Sequence, residues 1–366
     1  MSSHHSPLRQ RRSFPTAPTK QRGAALLIAL VIMSIAMGIA VNIMFRQQLH
    51  TRLAVNISNL EQIYPYATGL EDWARTILNK DAEDSPDTDD LTEAWATEIP
   101  PIPIPGGVMT GRLFDLQARL NLNNLYPPER PITEDEDEES TRAPLTEEER
   151  RIRADQNRYI IAKLRTEKLL QTIDTEEKIG PARNFADMVT DWIDGDSNTS
   201  ETGAESDYYQ TLDPPYNAAD SLLVNETELR LLKGIDKEAF ELLRPYICVL
   251  PEYTAVNVNT ASMEVFQALG FTPEAAENII SVRDENPFQG LNDFMELEVV
   301  RSATEGDSPE VYQQFLSATT DYFLLQGEIN IGTARLYINS ILHRKDGKVT
   351  VVSRDFSNQQ IVKAKE

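Results

Sequence analysis

The segment from Ala24 to Phe45, AALLIALVIMSIAMGIAVNIMF, contains no charged residue, and nothing else in the chain constrains its fold as strongly. About 20 apolar residues in helical form cross a bilayer, so the stretch predicts a membrane-spanning helix. Arg9, Arg11, Arg12, Lys20 and Arg22 precede it with no acid among them, and Arg46 ends it. Basic flanks stay on the cytoplasmic side, which places the bulk of the chain outside. A cleaved secretory signal would have a shorter apolar core ending in small residues. Here the helical pattern continues through Gln47, Leu49, Leu53 and Leu60, as in a signal anchor.

The chain as a whole is acidic, with a formal net charge of −23 over 366 residues. That argues against a nucleic-acid binder, which needs Lys and Arg to neutralise phosphates. The single cysteine, Cys248, rules out an intramolecular disulfide and reads as a small buried hydrophobe. His4 and His5 precede the span, and His50 and His343 are far apart. No zinc spacing and no arrangement of nucleophile, base and orienter is present, so no catalytic residues are expected and the chain is not read as an enzyme.

Beyond the span, Leu53, Ile57, Leu60, Leu70, Trp73, Ile77 and Leu78 recur at helical spacing, with Pro65 expected to kink or interrupt the helix. Asp81 to Asp90 reads as a polar loop and Pro100 to Gly107 as a stiff turn. Val108 to Asn123 holds short β-like runs. The Pro-, Glu- and Asp-rich stretch from Pro127 to Glu149, with the acidic loop 132–149 inside it, reads as a solvated loop; a calcium-collecting cluster is the weaker alternative, because consecutive carboxylates in such a loop lack fixed geometry. Arg150 to Phe315 is mostly helical by pattern, with Ile160, Ile161, Leu164, Leu169 and Leu170 on one face. After Asp321 the period becomes that of strands, with turns at Gly332-Thr333 and Asp346-Gly347. The order predicts an α+β body carrying a large, mostly α-helical inserted domain.

One acidic segment has spacing with chemical meaning. Asp194, Asp196 and Asn198 alternate, and Glu205 lies eleven residues after Asp194. These match positions 1, 3, 5 and 12 of an EF-hand loop, whereas Thr199 stands where that loop needs glycine. Asp191 and Asp207 could add oxygens. The ligand set suits calcium in a structural role; the bland alternative is a solvated Asp/Ser/Gly loop. Paired carboxylates also occur in glycosidases, but no aromatic sugar platform accompanies these.

Lys20-Gln21-Arg22-Gly23 followed by Ala24-Ala25-Leu26-Leu27 resembles a type IV prepilin cleavage site. That resemblance implies cleavage between Gly23 and Ala24 and N-methylation of the new terminus. Processing would leave 30 basic and 58 acidic residues, net −28. Most pilins carry glutamate at the fifth mature position, but Ile28 stands here, as is characteristic of K-class pseudopilins. Asp115-Leu-Gln-Ala-Arg-Leu-Asn-Leu-Asn-Asn-Leu125, Asp191-Trp-Ile-Asp194-Gly-Asp196, Gly203-Ala-Glu205-Ser-Asp207, Pro214-Pro-Tyr216, Glu228 to Gly234, Leu250-Pro251 and Val256-Asn-Val-Asn-Thr-Ala261 resemble that class in order. The resemblance is to the minor pseudopilins of type II secretion systems, K class.

The resemblance implies the following organisation: leader 1–23, transmembrane and pilin helix 24–80, first part of the pilin body 81–125, helical insertion 126–318, and C-terminal strands 319–366. It implies a single-pass inner-membrane subunit with its bulk in the periplasm, capping the tip of a pseudopilus and helping to start its assembly. The implied partners are minor pseudopilins of the I and J classes and also the H class, the major pseudopilin, the inner-membrane assembly platform and the prepilin peptidase. It implies no nucleic-acid partner. Asn257 to Ser262, Leu269-Gly-Phe271 and Pro287 to Phe294 also resemble a helix-hairpin-helix unit. The runner-up is therefore a membrane-anchored DNA receptor, and a signal-anchored scaffold protein is third.

Overall fold

A computed structural model describes residues 22–98, 100–128, 146–176, 178–180, 182–303, 312 and 314–357. The positions before Arg22, and most of the acidic loop expected at 132–149, lie outside them. Two compact units divide between Glu61 and Gln62. The first is helical from Arg22, with apolar side chains such as Leu26, Ile28, Val31, Ile35 and Phe45 all more than half exposed. It contains the stretch long and apolar enough to cross a membrane.

Helix α1 runs unbroken from Arg22 to Asp84 through Pro65, so the interruption expected there does not occur. Pro65 and Glu61, four residues back, are both exposed, which leaves the carbonyl freed by proline accessible to water. Packing supplies the rest. Within the second unit Ile63, Ala67, Leu70, Ala74 and Leu78 recur at helical spacing and are fully buried. They pack with Leu113, Phe323, Leu325, Ile329, Ile338 and Leu342 of the sheet. Alanines at two of the five positions let the helix come close. Gly327 goes further: a Cβ there would lie 2.3 Å from a Leu70 methyl and 2.8 Å from Ile338.

That sheet has the order β1-β2-β7-β8-β9, antiparallel throughout. Its strands are β1 (Ile102–Ile104), β2 (Gly107–Asp115), β7 (Tyr322–Ile331), β8 (Ala334–Lys345) and β9 (Lys348–Ser357). The turn between β1 and β2 uses Gly106 at φ +80. Gly107 is required for a different reason, because a Cβ there would lie 1.7 Å from the Asn330 carbonyl oxygen. Asp346 and Gly347 both take positive φ, the backbone that a two-residue hairpin demands.

Between β2 and β7 the chain makes a long excursion. It contains β3 (Leu120–Asn121), the 3-10 turn Leu122–Leu125, α2 (Glu147–Ile173), α3 (Ala182–Ile193), α4 (Ser206–Tyr209), the 3-10 turn Glu226–Leu231 and α5 (Lys237–Leu243). There follow β4 (Ile247–Cys248), β5 (Val256–Asn257), α6 (Met263–Ala268), α7 (Pro273–Glu285), α8 (Leu291–Glu296), α9 (Glu298–Ala303) and β6 (Leu316–Ser317). One large apolar cluster fills it, including Leu169, Leu170, Phe185, Trp192, Phe266 and Phe294. Ile160 and Leu164, expected on the buried face of α2, are 44% and 58% exposed; the buried stripe of this helix is carried instead by Thr166, Leu169 and Leu170.

The acidic stretch at the end of α1 is not the polar loop its composition suggests. Asp81, Asp89 and Asp90 are buried. Arg344 on β8 donates to Asp81 at 2.9 Å, to Asp89 at 2.5 Å and to the Thr320 carbonyl at 2.9 Å, and its guanidinium lies over the Phe323 ring. A second pairing joins α1 to the edge strand: Glu71 accepts from Arg354 at 2.5 and 2.6 Å and from Ser340 at 2.6 Å. Burial pushes the Glu71 carboxyl up, but the Arg354 and Ser340 hydrogen bonds outweigh it and hold the group below its usual range. A depressed carboxyl stabilises the fold above its unfolded value and loses that contribution as pH falls through the folded one. Arg354→Ala is therefore expected to cost about 2 kcal/mol at neutral pH, discounted for the partly exposed arginine. In melting curves recorded against pH, the gap between variant and wild type should narrow as the pH falls below the ordinary carboxylate range and close as it passes through the lower folded value.

Candidate metal centre

The last turn of α3 and the loop after it bring acidic groups together. Asp191 and Asp194 sit three residues apart on one helical face, and both are buried. The loop then returns so that Glu205 becomes the N-cap of α4. Its side chain makes no cap hydrogen bond, which leaves the carboxylate free to meet Asp194. Carboxylate oxygens of Asp194, Asp196 and Glu205 all lie within 4.8 Å of one another.

Asp191 fixes the loop. It accepts from the Ser200 amide at 3.0 Å and from the Ser200 hydroxyl at 2.5 Å. Gly203 packs so closely on it that a Cβ would lie 2.0 Å from Asp191 Oδ2. Thr202 donates to Asp187 at 2.9 Å, and Lys163 of α2 pairs with the same carboxylate. Beneath the loop Trp192 meets Tyr209 edge-on at 5.1 Å, and Tyr209 stacks on Tyr216 at 5.3 Å.

Burial, followed by the charges of Asp196 and Asp191, pushes the Asp194 carboxyl up to about 6. Burial, followed by the charges of Asp191 and Asp194, pushes Glu205 up to about 7. Asp191 is raised by burial, against the Ser200 hydrogen bonds. Asp194 Oδ1 and Glu205 Oε1 are buried with no hydrogen-bond donor among the described residues. Buried carboxylate oxygens without donors, close to one another and destabilised as anions, fit a hard divalent cation.

Of the six ligands expected from spacing, the structure groups Asp194, Asp196 and Glu205, with Asp191 alongside. Asn198 is exposed and donates its backbone amide to Asp196 at 2.6 Å. Asp207 is exposed in the first turn of α4 and is not in the group. Asp220 was missed by sequence reasoning. Its charge raises both Asp194 and Glu205, and its amide donates to the Trp192 carbonyl at 3.2 Å. It is too far along the chain for local spacing to reveal it. Its positive φ of 47° marks it only once the backbone is known.

A second acidic group, Asp81, Asp89 and Glu93, is equally close. Arg344 already neutralises two of its members, and Glu93 accepts from the Trp95 indole and the Asp90 amide. In the segment that resembles a helix-hairpin-helix unit, the turn amides are engaged within the protein. In the hairpin, the amides of Leu269, Gly270 and Phe271 donate to Val265, Gln267 and Phe266 carbonyls, and Pro273 has no amide proton. These groups are thus not free to bind a phosphate.

Adding a divalent cation at about a hundred times its dissociation constant should stabilise the fold by roughly 2.7 kcal/mol. The fluorescence of Trp192, adjacent to Asp191, should change in step. Asp194→Ala combined with Asp196→Ala should abolish both responses, and a double variant that still responds would place the ion elsewhere.

Two family models described as type II secretion system protein K match residues 118–252 and 256–311. The chain is 31% identical over 345 residues to type II secretion system protein K of Pseudomonas aeruginosa, covering 92% of each chain. It is 29% identical over 341 residues to that of Aeromonas hydrophila, covering 92% of this chain and 97% of the other. A crystal structure of the GspK–GspI–GspJ complex from the type 2 secretion system of enterotoxigenic Escherichia coli matches the fold with a TM-score of 0.64. That match has 21% identity and covers 82% of this chain and 97% of the other. The sequence motifs, the α+β fold with its helical excursion and the similarity along nearly the whole chain converge: it belongs to the type II secretion system protein K family.

Proposed function

We propose that this minor pseudopilin caps the tip of a periplasmic pseudopilus, helps to start its assembly and carries a structural calcium ion. The observation that carries the reading is one chain joining a membrane-type helix, a five-stranded pilin-like sheet on its continuation, and a large excursion leaving that sheet at Asp115 and rejoining it at Tyr322. Subunits that add through the N-terminal helix need a clear path past the body already in place. A bulky excursion obstructs a further subunit above, so the chain suits the end of a filament.

Ile28 supports the same place. A pilin within the shaft uses a carboxylate near its N-terminus to neutralise the terminal amine of a neighbour, whereas a first subunit has none ahead of it to neutralise. The complex reported for the Escherichia coli relative supports the I and J minor subunits as partners. The H subunit, the major pseudopilin and the inner-membrane platform complete the proposed set. Calcium suits the acidic site better than magnesium because it accepts several flexible oxygen ligands. Its role would be to hold the 194–205 loop on the end of α3.

Processing is the most accessible test. Co-expressed with a prepilin peptidase, the protein should yield a chain beginning at Ala24 with a methylated amine, read by intact mass and N-terminal peptide mapping. A mature chain that retains residues 1–23, or one cut after Phe45, would contradict the pseudopilin reading and favour a signal-anchored scaffold.

A further inference from the structure

A cleft of about 430 Å³ lies between α2 and the turn after α6, away from the carboxylate cluster. Its lining includes Leu164, Arg165 and Lys168 of α2, Leu269 and Gly270 of the turn, and Phe315 before β6. The volume falls within the range of pockets that take small ligands or a few peptide side chains.

The charges here run against the rest of the molecule. Between Arg150 and Lys168, α2 carries seven basic residues and only two acids, Asp155 and Glu167, in a chain of net charge −23. Most surface cations elsewhere on this helix have local partners: Lys163 pairs with Asp187, and Arg158 with Asp155. Arg165 differs. Its guanidinium stacks over the Phe315 ring at 4.5 Å, and among the described residues it has no carboxylate within ion-pair distance. Burial pushes it down to about 10, so among the described residues the charge is held in the cleft wall with no carboxylate paired to it. Lys168, one turn along, is exposed and has no ion pair among the described residues.

The same wall is apolar on either side of the cations. Leu164 is 58% exposed on a helix that buries Leu169 and Leu170 nearby, so its side chain is open to an apolar contact. A free phosphate or a nucleic-acid backbone would leave Leu164 uncovered, and the amides of the turn are already used internally. A carboxylate next to an apolar side chain satisfies both parts of the surface. We propose that this cleft docks an acidic, apolar-flanked peptide segment of a partner protein, with its carboxylate between Arg165 and Lys168 and its apolar side chain against Leu164 and Leu269.

The test uses the full chain in detergent and a fluorescent peptide alternating Glu and Leu, with a Gln and Leu peptide as control, read by anisotropy. Saturable binding of the Glu peptide alone is expected. Arg165→Gln and Lys168→Glu should each weaken it by about tenfold or more, the scale of losing a charge-assisted contact. Lys168 is exposed, so its variant should melt as wild type does and keeps the test valid if Arg165→Gln unfolds. Absence of binding up to about 1 mM peptide, equal binding of the Gln peptide, or unchanged affinity in Lys168→Glu would overturn the proposal. Tighter binding of a DNA oligonucleotide, lost in the same variants, would overturn it in favour of a nucleic-acid surface.

Discussion

The structure depends on a buried polar junction where the chain leaves the sheet and returns to it. Asp115, the last residue of β2, accepts from the Thr260 hydroxyl at 2.5 Å, the Thr320 hydroxyl at 2.6 Å, the Gln117 amide at 2.6 Å and Asn257 at 2.9 Å. Asn257 also donates to the Asp89 carbonyl at 2.9 Å, and the Asp89 carboxylate accepts from the Thr320 amide and from Arg344. Residues from the end of α1, the start of the excursion, its middle and its end thus share one network. A buried carboxylate is expensive unless its oxygens are satisfied. Here that expense acts as specification, since the network is complete only when all four segments are in register.

This junction lets a pilin-like body carry so large an excursion. The departing and returning strands, β2 and β7, are neighbours over nine paired positions, so the sheet is continuous whatever lies between them. Just beyond, three asparagines extend the bracket. Asn121 donates to the Glu252 carbonyl, Asn123 to the Leu223 and Leu250 carbonyls, and Asn124 to the Thr254 carbonyl, at 2.8 to 2.9 Å. The helical region is thereby fixed to its point of origin by backbone-directed hydrogen bonds. Its own weak point is the 194–205 loop, where packing leaves carboxylate oxygens facing one another, and where a bound cation would convert repulsion into cross-linking.

Much of this was legible in the sequence, for identifiable reasons. The long apolar helix, able by length and composition to cross a membrane, needed only an uncharged run. The last two hairpins announced themselves through alternation and the Asp346-Gly347 turn. Asp194, Asp196 and Glu205 could be grouped because a loop ligand set is local. What failed was non-local. Asp81 and Asp89 looked solvated because their neighbours are acidic, and only β8, more than 250 residues later, supplies Arg344. Pro65 looked disruptive because the sequence does not show that its side of the helix faces water. Asp220 joins the acidic site through a backbone hydrogen bond that no spacing rule encodes. Asn121, Asn123 and Asn124 were singled out as part of a motif, but their work as brackets requires knowing where residues 223 to 254 pass.

A body built this way is proposed to end a filament. This is tested most directly by counting this subunit in assembled pseudopili. Filaments isolated from cells overproducing the major pseudopilin can be labelled with gold-tagged antibody against the α2 to α9 region and measured by electron microscopy. A capping subunit should give label at one end only, with a count per filament independent of filament length. Label distributed along the shaft, rising in proportion to length, would contradict it.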